Sequence, residues 1–256
     1  FLDAAEKCKS ENIAILSGIE ELWRAIQNTS EKGWIVDGKL YIDPSREAFF
    51  EMAKQYIQND YTNHSISWQD SWFADMQGCG PRPVLGYFGP VWFVNYSLGL
   101  NCGGYTFGEG TYGDWAVCLP PVSFHWGGSF IFVNKNISKQ KIPAVRELVN
   151  WMVLDTSNYG LMNQLANGIL NGPAGIDGAS PTMLGVKDSV PSNTVMKKSN
   201  GVMDIIGGQD MYPYYEKANN MPTGKNNTYY DEDINYLWMN QVYQYCYNNK
   251  SLKQAI

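Results

Sequence analysis

The feature that most constrains this chain is how often its apolar pattern changes period. Ile13-Ala14-Ile15-Leu16 and Val84-Leu85-Gly86-Tyr87-Phe88 are short apolar runs of strand length. Between and after them, apolar residues recur every three or four positions, as a helix face requires. Leu2, Ala5 and Cys8 mark one helix, Leu22, Trp23 and Ile26 a second, and Phe49, Phe50, Ala53, Tyr56 and Ile57 a third. Short β segments alternating with amphipathic helices predict an α/β class. Local signals agree. Asp37-Gly38 inside Trp34–Ile42 predicts a hairpin turn, and Asp43-Pro44 with Glu47 in the first turn predicts a capped helix start. Trp68 to Met76 reads as a short helix with Ser67 as its cap. Trp115–Leu119 and Ser129–Val133 read as strands, and Pro143 opens a helix carrying Val145, Leu148, Val149, Met152 and Val153. Residues 171–200 form a long Gly/Pro/Ser/Asn-rich connection. Gln209–Asn219, Asp231–Tyr247 and Ser251–Ile256 read as helical.

Charge and motif content remove several function classes. The formal net charge is −6 with no dense basic cluster, so nucleic acid and anionic membrane surfaces are not expected partners. No run of 18 apolar residues exists to span a bilayer. Only two histidines are present, His64 and His125, and the five cysteines include no C-x-x-C, so no metal or other cofactor is expected. Cys79 and Cys102 flank one glycine-rich region, and a disulfide between them is the minor alternative to free thiols, while Cys8, Cys118 and Cys246 read as small buried residues. Nucleophile-elbow, zinc-protease and phosphate-loop motifs are absent. A glycosidase needs only two carboxylates, and Glu109, Asp114, Asp210 and Asp231 are the loop acids on offer. Acids in loops are ordinarily solvated, so no catalytic residue is assigned.

Aromatic residues make up 14% of the chain, including 9 Trp. That excess supplies both core volume and flat faces on which sugar rings stack. Two stretches stand out: Gly89-Pro90-Val91-Trp92, and the run from Gly113-Asp114-Trp115 through Pro120-Pro121 to Trp126-Gly127-Gly128-Ser129. Each places a large aromatic past the end of an expected strand, where ligands of open α/β sheets bind. Gly127 and Gly128 remove side chains beside Trp126, so the backbone can approach a ligand or bend. Trp92 and Trp126 read equally well as core aromatics on this ground alone. Trp23, at helical spacing with Leu22 and Ile26, reads as core. Gln209 and Asp210 read as helix-capping residues.

In order along the chain, these pieces resemble the carbohydrate-binding branch of the extracellular solute-binding proteins of ABC importers, the maltose-binding-protein type. The ordered set comprises the helix and strand of Phe1–Leu16, Gly33-Trp34-Ile35-Val36-Asp37-Gly38-Lys39, Gly89-Pro90-x-Trp92, Gly113-Asp114-Trp115-Ala116, Trp126-Gly127-Gly128-Ser129, Leu154-Asp155-Thr156-Ser157, Gly207-Gly208-Gln209-Asp210, Tyr230-Asp231, and the closing Tyr247-x-x-Lys-Ser-Leu-Lys-Gln-Ala-Ile.

The resemblance implies a type II periplasmic-binding-protein-like fold with two α/β lobes and a sugar held between them. Residues 1–126 and 172–256 would form the C-terminal lobe, and 127–171 a segment of an N-terminal lobe whose remainder is missing from this chain. With that lobe missing, Leu148 and Met152 on helix 143–154 are expected to be exposed and to favour dimerisation or local disorder. The resemblance also implies Trp92 as the stacking aromatic, Trp126 with Gly127 and Gly128 as the hinge-side wall, and Asp231 and Glu232 as polar groups at the cleft rim. The expected partners are a mono- or oligosaccharide and the permease subunits of an ABC transporter. Membrane contact would come only through a lipid anchor or the permease, at the cell surface or in the periplasm. A carbohydrate-active enzyme or free-standing lectin module is the alternative.

Overall fold

The computed structural model describes residues 1–170, 187, 192–221 and 226–256, so part of the 171–200 connection, Gly172 included, lies outside the described residues. Among the described residues it combines many helices with few, short strands, a mixed content compatible with the α/β class. The chain forms two compact units. The first comprises Phe1–Phe88, Pro120–His125 and Pro222–Ile256, and the second comprises Gly89–Leu119 and Trp126–Met221.

The first unit begins with α1 (Leu2–Ser10), β1 (Ala14–Leu16) and α2 (Ile19–Ile26). All three residues of β1 are buried, which is why this strand shows an unbroken apolar run rather than alternation. Next come β2 (Ile35–Val36) and β3 (Lys39–Leu40), an antiparallel pair pairing Ile35 with Leu40 and Val36 with Lys39. Their turn residues Asp37 and Gly38 have φ of 50° and 73°, as a tight type I′-like hairpin turn demands. Asp43 caps α3 (Pro44–Glu47), accepting from the backbone N–H of Ser45 at 3.0 Å, with Pro44 opening the helix. After α4 (Phe49–Gln58) and α5 (Asp70–Gln77), β4 (Val84–Gly86) pairs in parallel with β1, aligning Ala14 with Val84 and Leu16 with Gly86.

Ser67 does not cap α5. Gln69 occupies that position because Trp68 sits in left-handed backbone at φ 68° and breaks the helical path.

The second unit takes over at Gly89. Its described elements include a π-helical stretch Val94–Leu98, α6 (Gly99–Asn101), α7 (Ile142–Val149) continued by a π-helical turn Asn150–Leu154, α8 (Leu161–Ala166), α9 (Asn193–Met196), β5 (Val202–Met203), β6 (Gln209–Asp210) and α10 (Tyr212–Asn219). Buried Val195, Met196, Ile206, Met211 and Tyr212 centre its core.

Two expected strands do not form. Trp115–Leu119 has no ladder partner among the described residues. The side-chain amide of Gln209 takes that role, accepting from Val117 N–H at 2.6 Å and donating to Val117 C=O at 2.9 Å. Ser129–Val133 is likewise unpaired among the described residues, with Phe132 88% exposed. An apolar run is a strand only where another strand satisfies its backbone. The helix expected from Gln209 starts later, because Gln209 and Asp210 pair with Val202 and Met203 as β6. Asp210 also accepts from Tyr212 N–H at 3.1 Å at the helix start.

The chain then returns to the first unit with α11 (Asp231–Cys246) and α12 (Leu252–Ala255), the latter opened by a Ser251/Gln254 capping box. These helices complete its core. Trp238 stacks with Trp23 at 5.9 Å, and Trp34, Phe49, Phe50, Val242 and Cys246 share the cluster. Trp23 is therefore core, and Arg46, also buried, lies 3.9 Å from the centre of the Trp34 ring.

All five cysteines are free thiols. Cys102 and Cys246 are buried, whereas Cys79 and Cys118 are exposed, so no Cys79–Cys102 bridge exists and Cys118 does not behave as a buried apolar residue.

Candidate functional site

In the second unit, four of the sequence-derived site residues come together. Trp92 and Trp126 are both half-buried, their rings 5.4 Å apart and inclined at 64°. The Trp92 indole N–H donates to the backbone carbonyl of Trp126 at 2.8 Å, locking the two side chains into one arrangement. Local sequence explains this placement. Gly89 lies where any side chain would strike Phe93, since a Cβ there would fall 2.4 Å from the Phe93 ring. The chain must therefore turn tightly before Trp92. Gly127 at φ 65° and Gly128 at φ 111° adopt backbone that other residues avoid. A Cβ on Gly127 would sit 3.4 Å from the Trp92 indole nitrogen, whereas one on Gly128 would meet nothing within 4 Å. Gly128 thus leaves open space and exposed backbone beside the ring pair. Trp126 does not follow a paired strand as expected. Its position comes instead from the glycine pair and the bond from Trp92.

Asp231 and Glu232 belong to the first unit and open α11. Asp231 accepts from the backbone N–H of Thr228 at 3.0 Å and from the Thr228 hydroxyl, which makes it a local turn-forming group. Burial lowers the basicity of Arg46, and the nearby carboxylates of Asp231 and Asp43 act against that effect. The Arg46 Nε and Nη1 have no hydrogen-bond partner. Glu232 is exposed and adds to the field on Arg24.

The first unit holds a constellation that sequence reasoning missed. Glu21 is buried, and its two carboxylate oxygens accept from the Trp72 indole N–H at 2.8 Å and from the Phe88 backbone N–H at 3.1 Å. Burial pushes its carboxyl up to about 7, against the two hydrogen bonds and the charge of Arg24, with Glu20 adding to the rise. Above Trp72, at 5.2 Å between ring centres, lies the half-exposed ring of Trp68. The backbone N–H of Ser67, just before it, is held by Glu20 at 3.0 Å. Adjacent acids on one helix thus secure the segment that carries Trp68. The acid pair Glu20-Glu21 is visible in the sequence, but which of the two points inward is not.

Known proteins offer no guide to either constellation. No family model, no curated protein and no solved structure matches this chain. Among the described residues no group of three His, Cys, Asp or Glu side chains is placed to hold a metal ion, and no helix is long and apolar enough to cross a membrane.

Proposed function

We propose that this protein is a non-enzymatic carbohydrate-capture protein of the two-lobed, periplasmic-binding-protein-like type, which hands its sugar to an ABC importer at the cell surface or in the periplasm. The observation that carries the reading is the locked Trp92–Trp126 pair with open, glycine-lined backbone at Gly128. A sugar ring has an apolar face that stacks on an indole and a rim of hydroxyls that seek backbone or polar groups, and this pair offers both kinds of contact. The ordered resemblance of the sequence to solute-binding proteins supports the same reading. So does a chain that passes between its two units at residues 88/89, 119/120, 125/126 and 221/222, the kind of connection from which hinge closure is built.

Calorimetric titration with mono- and oligosaccharides tests the proposal. Stacking one ring at about 25 cal/mol per Å² of apolar area contributes roughly 1.5–3 kcal/mol, so Trp92→Ala weakens binding about tenfold to hundredfold. The sugar is expected to be recovered unchanged. Release of hydrolysis products, or wild-type affinity in Trp92→Ala combined with a melting temperature far below wild type, overturns the reading.

A further inference from the structure

The second aromatic surface, in the first unit, carries an assignment of its own. Among the described residues six non-glycine positions have positive φ, and five of them are Asn, Asp or His, whose short side chains tolerate that region. The sixth is Trp68, at φ 68°. A bulky aromatic there is strained, and such strain persists only where the surroundings over-determine it.

The surroundings do so here. Glu20 holds the Ser67 N–H at 3.0 Å, while Trp72, fixed by Glu21, supports the Trp68 ring from below with Phe73 at 6.3 Å. Despite this investment in its position, Trp68 is not core, being 49% exposed. It is followed by Gln69, Asp70 and Ser71, all exposed, whose side chains make no hydrogen bond or ion pair. A flat apolar plate bordered by an amide, a carboxylate and a hydroxyl, none of them engaged, is complementary to one ring of a saccharide. Its apolar face meets indole and its hydroxyls meet planar polar groups.

We propose that Trp68, with Gln69, Asp70 and Ser71, is a second sugar-stacking platform, held in its strained conformation by Glu20 and by Trp72. This assignment rests on the carbohydrate reading above and concerns the first unit by itself.

The strain supplies a test that separates binding from packing. Trp68→Ala and Trp68→Gly both remove the ring, but glycine relieves the left-handed backbone and alanine does not. Trp68→Gly is expected to melt about 2–4 °C above Trp68→Ala. Both are expected to bind, about tenfold or more weakly, the saccharide that the wild type binds. Trp68→Tyr, which keeps a ring, is expected to stay within a few-fold of wild type.

As a check that needs no folded truncation, the Trp68 indole resonance of the wild type is followed by NMR as saccharide is added, assigned by its disappearance in Trp68→Tyr. A shift that saturates with binding supports the platform. An unmoved resonance at saturation overturns it, as does wild-type affinity in Trp68→Gly. If the wild type binds while Trp92→Ala alone loses affinity, this assignment fails and the carbohydrate reading stands. If no saccharide of the panel binds wild-type protein, both fail together.

Discussion

Glu21 makes the stability of the first unit depend on pH in an unusual direction, and Glu21→Gln isolates the effect. Most acids that interact in a fold have lowered pKa values and stabilise it at neutral pH. Burial does the opposite to Glu21, raising its carboxyl from 4.5 to about 7, so the folded state holds a proton that the unfolded state has released. Its stabilising contribution is therefore full below pH 4.5, declines as pH rises, and is gone above about 7. Moving a carboxyl from 4.5 to about 7 corresponds to about 3 kcal/mol in total.

The Gln variant does not titrate. It retains one acceptor for the two donors, Trp72 Nε1–H and Phe88 N–H, and turns an NH₂ toward the other, costing about 1–3 kcal/mol at every pH. At pH 5 the variant is expected to be less stable than wild type by that amount. At pH 8 the gap is expected to close or reverse, because only wild type has lost the protonation term. Urea denaturation of both proteins at pH 5 and pH 8 measures the change in their difference, expected to be about 2–3 kcal/mol. The groups around Glu21, Arg24 and Tyr87 among them, are common to both proteins, and their contributions cancel to first order. A difference that stays constant between the two pH values would show that Glu21 does not change protonation in the folded state, and the argument falls.

Two further outcomes follow from the packing. Asp43→Ala removes acceptors for the backbone N–H groups of Ser45 and Glu31, both at 3.0 Å, and is expected to cost about 1–2 kcal/mol in a melt or urea titration. In the second unit Leu148 and Phe132 are exposed, and a groove of about 480 Å³ is lined by Val133, Ile137, Ile142, Val145, Val149 and Leu154, so Leu148→Lys is expected to reduce concentration-dependent association in sedimentation experiments.

What the sequence made legible was whatever depends on neighbours a few residues apart. The hairpin at Asp37-Gly38, the cap at Asp43, the buried strand Ala14–Leu16 and the helix faces around Trp23 and Phe50 all rest on local rules, and all are present. Trp92, Trp126, Gly127 and Gly128 could be singled out as a group because they combine ring and glycine content at two points. The failures involve partners remote in sequence. Trp115–Leu119 has the composition of a strand, but its backbone is met by the Gln209 side chain 92 residues away from Val117. Glu21 reads as one more helix acid until Trp72, 51 residues on, turns out to donate to it. Trp68 carries no local signal at all, since nothing in Ser67-Trp68-Gln69 announces left-handed backbone.

The core of the first unit also dictates an order of events during synthesis. Residues 1–88 emerge before their packing can be completed, because Trp23, Trp34 and Phe50 pack against Trp238 and Val242, which follow only after the second unit. The second unit is drawn almost entirely from the intervening stretch and can finish first. A nascent chain of this protein therefore carries an unsealed tryptophan cluster past a completed neighbour, a window in which chaperones have a defined target. Only the arrival of Trp238 and Val242 closes it.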